Sequence, residues 1–99
     1  MWIRACATTD VVPGEAITVP ADPPIALFNV DGEFLATGEL CSHDRSPLSD
    51  GYIDGDVVEC AWHFAKFCLR TGAALSLPAT SGVATYPTKV EAGEVRIDV

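Results

Sequence analysis

Positive charge is scarce in this chain: six Lys and Arg stand against 14 Asp and Glu in 99 residues, a formal net charge of −8. That balance argues against nucleic acid or an anionic membrane surface as a partner. It favours a protein with a basic docking face. Long apolar runs are also missing, and nothing approaches the ~20 residues that a membrane span requires. The start, Met1-Trp2-Ile3-Arg4-Ala5-Cys6, lacks the basic segment and apolar stretch of a secretory signal. The expectation is a soluble, cytoplasmic protein. No repeat, linker or low-complexity run is present, and apolar residues nowhere keep a helical period over 10–12 positions. Histidine is rarer still, with two in the chain.

What is there begins with an apolar fraction of 48%, ample for a globular domain. At this length the expectation is one domain over 1–99, with room for a single core. The segments are short and β-like. Trp2 to Cys6 and Ala16 to Val19 read as strands separated by Pro13-Gly14. Ile25 to Val30 and Glu33 to Thr37 flank Asp31-Gly32, a tight-hairpin signal because Gly accepts the positive φ of a primed turn. Thr88 to Glu91 and Glu94 to Val99 repeat that logic around Ala92-Gly93. Between these pairs lie Val57 to Ala61, Phe64 to Arg70 and a Thr71-Gly72 turn. The pattern predicts an all-β fold of small stacked antiparallel sheets.

Both histidines sit just downstream of a cysteine. Cys41-Ser42-His43 is followed, after sixteen residues, by Cys60-Ala61-Trp62-His63. Each half-site offers one thiolate and one imidazole, and residues two apart in extended chain point the same way. The second half-site has one more residue between its ligands, which suits a tighter turn. Two sulfurs and two nitrogens fit a tetrahedral structural zinc, or a 2Fe–2S cluster with His₂ on one iron. Zinc fingers usually pair like with like within a half-site, so the mixed halves here favour the cluster. The plain alternative is that these side chains only pack. It requires both histidines and two of four cysteines to fall into two mixed half-sites by chance.

The stretches that carry this motif, Cys41-Ser-His-Asp-Arg-Ser-Pro-Leu-Ser-Asp-Gly51 and Gly55-Asp-Val-Val-Glu-Cys-Ala-Trp-His-Phe-Ala-Lys-Phe-Cys-Leu-Arg-Thr-Gly72, resemble the Rieske ferredoxins. These serve bacterial ring-hydroxylating dioxygenases, biphenyl-type and phenylpropionate-type systems among them. The likeness runs from Val12-Pro13-Gly14-Glu15-Ala16 to the final hairpin. It implies a Rieske fold with a cluster-binding part at about 40–80. Cys41 and Cys60 would hold one iron of a 2Fe–2S cluster and His43 and His63 the other, with Leu77-Pro78-Ala79 resembling the covering proline loop. It further implies a monomeric one-electron carrier, without catalytic residues, between an NAD(P)H-dependent flavoprotein reductase and a terminal oxygenase. Two alternatives stay open: a Rieske subunit fixed in another oxidoreductase, such as nitrite reductase, and a structural zinc module.

The chain departs from the high-potential Rieske pattern. The extra loop cysteines are absent, and His63 is followed by Phe64-Ala65 rather than Gly-Ser. Losing those donors to sulfur predicts a potential at the low end of the Rieske range, around −150 mV. Asp44 stands where the family usually has Gly, and raises the expectation of a strained positive φ there. Cys6 and Cys68 are expected as small buried apolar side chains. Trp62 reads equally as a shield or a docking anchor. From Asp31 to Glu59 eight acidic residues face one basic residue, Arg45. Five of them (Asp44, Asp50, Asp54, Asp56, Glu59) are expected to surround the metal as a docking face.

Overall fold

The computed structural model describes residues 1–42, 45–62, 64–77 and 79–99. Among these residues ten strands follow in order: β1 (Trp2–Ala7), β2 (Ala16–Val19), β3 (Ile25–Val30), β4 (Glu33–Gly38), β5 (Tyr52–Asp54), β6 (Val57–Glu59), β7 (Lys66–Cys68), β8 (Thr85–Tyr86), β9 (Thr88–Glu91) and β10 (Glu94–Asp98). Two 3-10 turns, Thr8–Asp10 and Leu48–Asp50, are the only helical segments among the described residues. No helix there is long and apolar enough to cross a membrane.

The strands form three antiparallel sheets, β1-β10-β9, β2-β3-β4-β8 and β5-β6-β7. The middle sheet explains the layering. Ile25-Ala26-Leu27-Phe28-Asn29 is buried at every position, which a strand open to water on one face would not be. Ile25 and Leu27 pack with Val19, Phe34, Ala36, Val95 and Ile97. Ala26 and Phe28 pack on the opposite side with Leu48, Val58, Phe67 and Leu69. The alternation of β3 thus serves two cores, not the single core expected from length. Small sheets stacked on both faces of a thin central one bury area that one sandwich of this size could not.

The β3–β4 hairpin pairs Val30 with Glu33 across Asp31-Gly32, whose φ values are 52° and 94°. Both are left-handed, as the primed turn demands. In the third sheet, Ile53, Val58 and Phe67 stand abreast on the core side. Tyr52, Glu59 and Lys66, and likewise Asp54, Val57 and Cys68, stand abreast on the outer side.

Candidate metal centre

Cys41 and Cys60 each head a loop closed in the same way. The Cys41 amide donates to the Ser46 carbonyl at 2.8 Å, and the Arg45 amide donates back to the Cys41 carbonyl at 2.9 Å. In the second loop the Cys60 amide donates to the Ala65 carbonyl at 2.7 Å, and the Phe64 amide to the Cys60 carbonyl at 2.9 Å. The fifth residue of each loop takes a left-handed φ of 62°, at Arg45 and at Phe64. Both loops therefore close over six residues. The closing hydrogen bonds count from the cysteine in both loops, and the expectation of a tighter turn before His63 lies outside the described residues. The left-handed position falls on Arg45. The expectation of strain at Asp44 lies outside the described residues.

The stems place the two thiols together. Leu40 bridges Pro47, and the Leu48 amide donates to the Glu39 carbonyl at 2.6 Å. The buried Glu39 carboxylate accepts from the Ser49 amide and hydroxyl, each at 2.9 Å, and from the Thr18 hydroxyl. This ties the first loop to β2. The second loop leaves β6 and enters β7, so its sheet fixes it at both ends. Cys41 and Cys60 are both buried in one cluster with Leu48, Val58, Phe67 and Ala79. No cysteine is in a disulfide. The Ser46 hydroxyl lies 2.6 Å from the Cys60 sulfur, inside the core. Sequence reasoning passed over Ser46 and Glu39. The available signal for Ser46 was its place five residues after Cys41, matching Ala65 after Cys60.

His43 and His63 lie outside the described residues, as does Pro78. The segment around Pro78 is nevertheless anchored on the first loop: Ala79 joins the cluster of Cys41 and Cys60, and the Ser42 hydroxyl donates to the Ser81 carbonyl at 2.6 Å. The exposed residues of the two loops are mixed: Ser42 and Arg45 on the first, Trp62 and Phe64 on the second. Trp62, Phe64 and Leu77 are 61%, 60% and 78% exposed, which favours docking over shielding for Trp62.

Cys68 is not part of this centre. Phe67 beside it points into the core, so strand alternation turns Cys68 outward. It is half-buried, not the packed apolar group expected. The Thr71 hydroxyl and the Thr71 and Arg70 amides lower its pKa. Cys6 does lie in the core, where burial pushes its thiol up.

Of the five acidic residues expected around the metal, Asp44 lies outside the described residues, Glu59 directly precedes Cys60, and two stand further off. Asp54 pairs with Val57 at the turn end of the β5–β6 hairpin, three residues back from Cys60, or ~10 Å at ~3.3 Å per residue. Asp56 accepts from Arg70 Nε at 3.2 Å, and Arg70 also grips both oxygens of Glu33 at 2.8 and 2.7 Å. A hairpin returns both ends of its segment to the metal but carries its middle away.

Two buried thiols on matched loops, with a hydroxyl aimed at one of them, fit the sulfur half of a mixed Cys–His cluster site. The fold and this site define a cluster-binding electron-transfer module. The chain belongs to the Rieske [2Fe–2S] domain family, whose model matches residues 1–87. It is an electron-transfer ferredoxin of that family, bearing a Rieske 2Fe–2S cluster, and not an oxygenase. It is 51% identical over 98 residues to the 3-phenylpropionate/cinnamic acid dioxygenase ferredoxin subunit of Escherichia coli K12, covering 98% of this chain and 92% of that protein. The ferredoxin of Sphingomonas yanoikuyae B1 superposes with a TM-score of 0.93 at 40% identity, covering 100% of this chain and 99% of that one. A chain from the complex of reduced oxygenase and oxidised ferredoxin in carbazole 1,9a-dioxygenase gives 0.92 at 36% identity, covering 97% and 91%.

Proposed function

We propose that this chain is the electron shuttle of an aromatic ring-hydroxylating dioxygenase system. It takes one electron at a time from an NAD(P)H-dependent flavoprotein reductase and delivers it to a terminal oxygenase. Cys41, His43, Cys60 and His63 hold the cluster, which supplies the one-electron redox chemistry when bound. The protein works as a monomer in the cytoplasm, one domain over 1–99 with its cluster-binding part at about 40–80.

The observation that carries this reading is the pair of matched loops, which brings Cys41 and Cys60 into one dry cluster while Trp62 and Phe64 of the second loop stay exposed. Burial excludes water from the thiolates and so protects them from exchange and oxidation. Trp62 and Phe64 offer each partner a surface to close over.

Protein from iron-replete cells is expected to be red-brown, with iron and acid-labile sulfide in the two-to-two ratio of such a cluster. Cys41→Ser and His63→Ala are each expected to abolish its visible and electron paramagnetic resonance signals. A colourless, zinc-loaded protein would sink the assignment.

A further inference from the structure

We infer that Ser46 tunes the reduction potential upward, its buried hydroxyl donating to the sulfur of Cys60. This rests on Cys60 being a cluster ligand.

Geometry makes the donor unambiguous once metal is bound. Ser46 and Cys60 are both fully buried, with Oγ and Sγ 2.6 Å apart. Between a hydroxyl and a thiol either group could donate. A metal-bound thiolate has no proton, so the hydroxyl must be the donor and sulfur the acceptor. The serine is held for the task, because its own carbonyl closes the first loop on the Cys41 amide. Its hydroxyl therefore reaches from one ligand loop to the cysteine of the other. Ala65, at the matching place in the second loop, has no hydroxyl to offer in return.

A donor on the sulfur draws electron density from the thiolate and stabilises the more negative, reduced state. In a dry, low-dielectric interior that preference is strong. The sequence lacks a serine after His63, from which a potential at the low end of the range was expected. Ser46 supplies a donor from the other loop and offsets part of that loss.

The test is the midpoint potential of wild type, Ser46→Ala, Ser46→Gly and Ser46→Thr, measured by voltammetry on cluster-loaded protein. Removing the hydroxyl is expected to lower the equilibrium constant for reduction about tenfold, which is 59 mV for one electron. Thr keeps the hydroxyl and should stay near wild type. A mere packing role gives the opposite order, with Ala silent and the added methyl of Thr disturbing, and would overturn the inference. So would Ala and Gly variants that fail to load, since the role would then be in assembly. A Cys60→Ser protein with an unaltered cluster spectrum would instead remove the ligand assignment beneath it.

Discussion

Cys6 and Cys68 differ in what surrounds their sulfur. Cys6 lies in the core on β1, paired with Val95 of β10, where desolvation penalises the thiolate and raises its pKa. Cys68, turned outward on β7, receives hydrogen bonds from the Thr71 hydroxyl and from the Thr71 and Arg70 amides, which hold its pKa below the ordinary thiol value. Because the thiolate is the nucleophile, iodoacetamide should label Cys68 well before Cys6 near neutral pH. Thr71→Ala removes the largest contribution and should shift the labelling profile of Cys68 towards higher pH. The linkage has a definite sign. A folded pKa below the unfolded one adds stability that is fully present above the unfolded value and is lost as pH falls through the folded value. Peptide mass spectrometry of timed, pH-stepped labelling reads both effects. Equal rates at the two cysteines, or a profile unmoved by Thr71→Ala, would contradict this account.

Among the elements, the six-residue loop opened by a cysteine occurs three times. After Cys41 and Cys60 comes Cys68, whose amide donates to Ala73 at 2.9 Å and whose carbonyl accepts from Gly72 at 2.7 Å. The left-handed fifth position is Arg45, Phe64 and Gly72 in turn. Side chains at the first two point into open surface, but a Cβ on Gly72 would stand 2.0 Å from the Val83 carbonyl. That close approach lets the Val83 amide reach the Gly72 carbonyl at 2.8 Å and packs the chain after Pro78 against the third loop. Gly72→Ala therefore meets both the left-handed penalty and a backbone clash. It should cost well over ~1 kcal/mol, lowering Tm by at least ~4–8 °C for a domain of this size, as differential scanning calorimetry would show. An unchanged Tm would mean that this contact is dispensable. Much of this layer was legible beforehand. The β3–β4 and β9–β10 hairpins carried turn residues between alternating apolar positions, and the paired Cys–His spacing marked the site. The strands missed, β5 and β8, are three and two residues long, too short for alternation to register. Strands expected at 57–61 and 64–70 stop at Glu59 and start at Lys66, because loop closure at Cys60 takes those residues out of the ladder. The spacing marked Ser46 as the closing residue of its loop, but nothing in it says that a residue of one loop touches the sulfur of the other.

For the molecule as a whole, the question is whether charge or apolar contact governs docking. The net charge of −8 still sets a long-range field that draws a basic partner. Yet the acidic residues of the β5–β6 turn sit ~10 Å along the strand from Cys60, about one Debye length at physiological salt. Asp56 is engaged by Arg70, which also holds Glu33, so its carboxylate is already tied to a side chain of the third sheet's far end and not left free for a partner. On the ligand loops themselves stand Trp62 and Phe64, exposed and uncharged, with the exposed Arg45 as the one cation among their described residues. Large aromatic anchors at the centre of a patch usually carry most of the affinity, while rim charges alter the encounter rate. Trp62→Ala should therefore raise the apparent Kd for reductase and oxygenase about tenfold or more at every ionic strength, the loss of more than ~1.4 kcal/mol typical of an anchor. Asp54→Asn with Asp56→Asn should leave affinity nearly unchanged and flatten the salt dependence of the transfer rate only slightly. Stopped-flow reduction of the ferredoxin by its reductase, run across a salt series with each variant, separates the two effects. The opposite result, full activity in Trp62→Ala and a salt-independent rate in the double Asn variant, would return the docking role to the acidic turn.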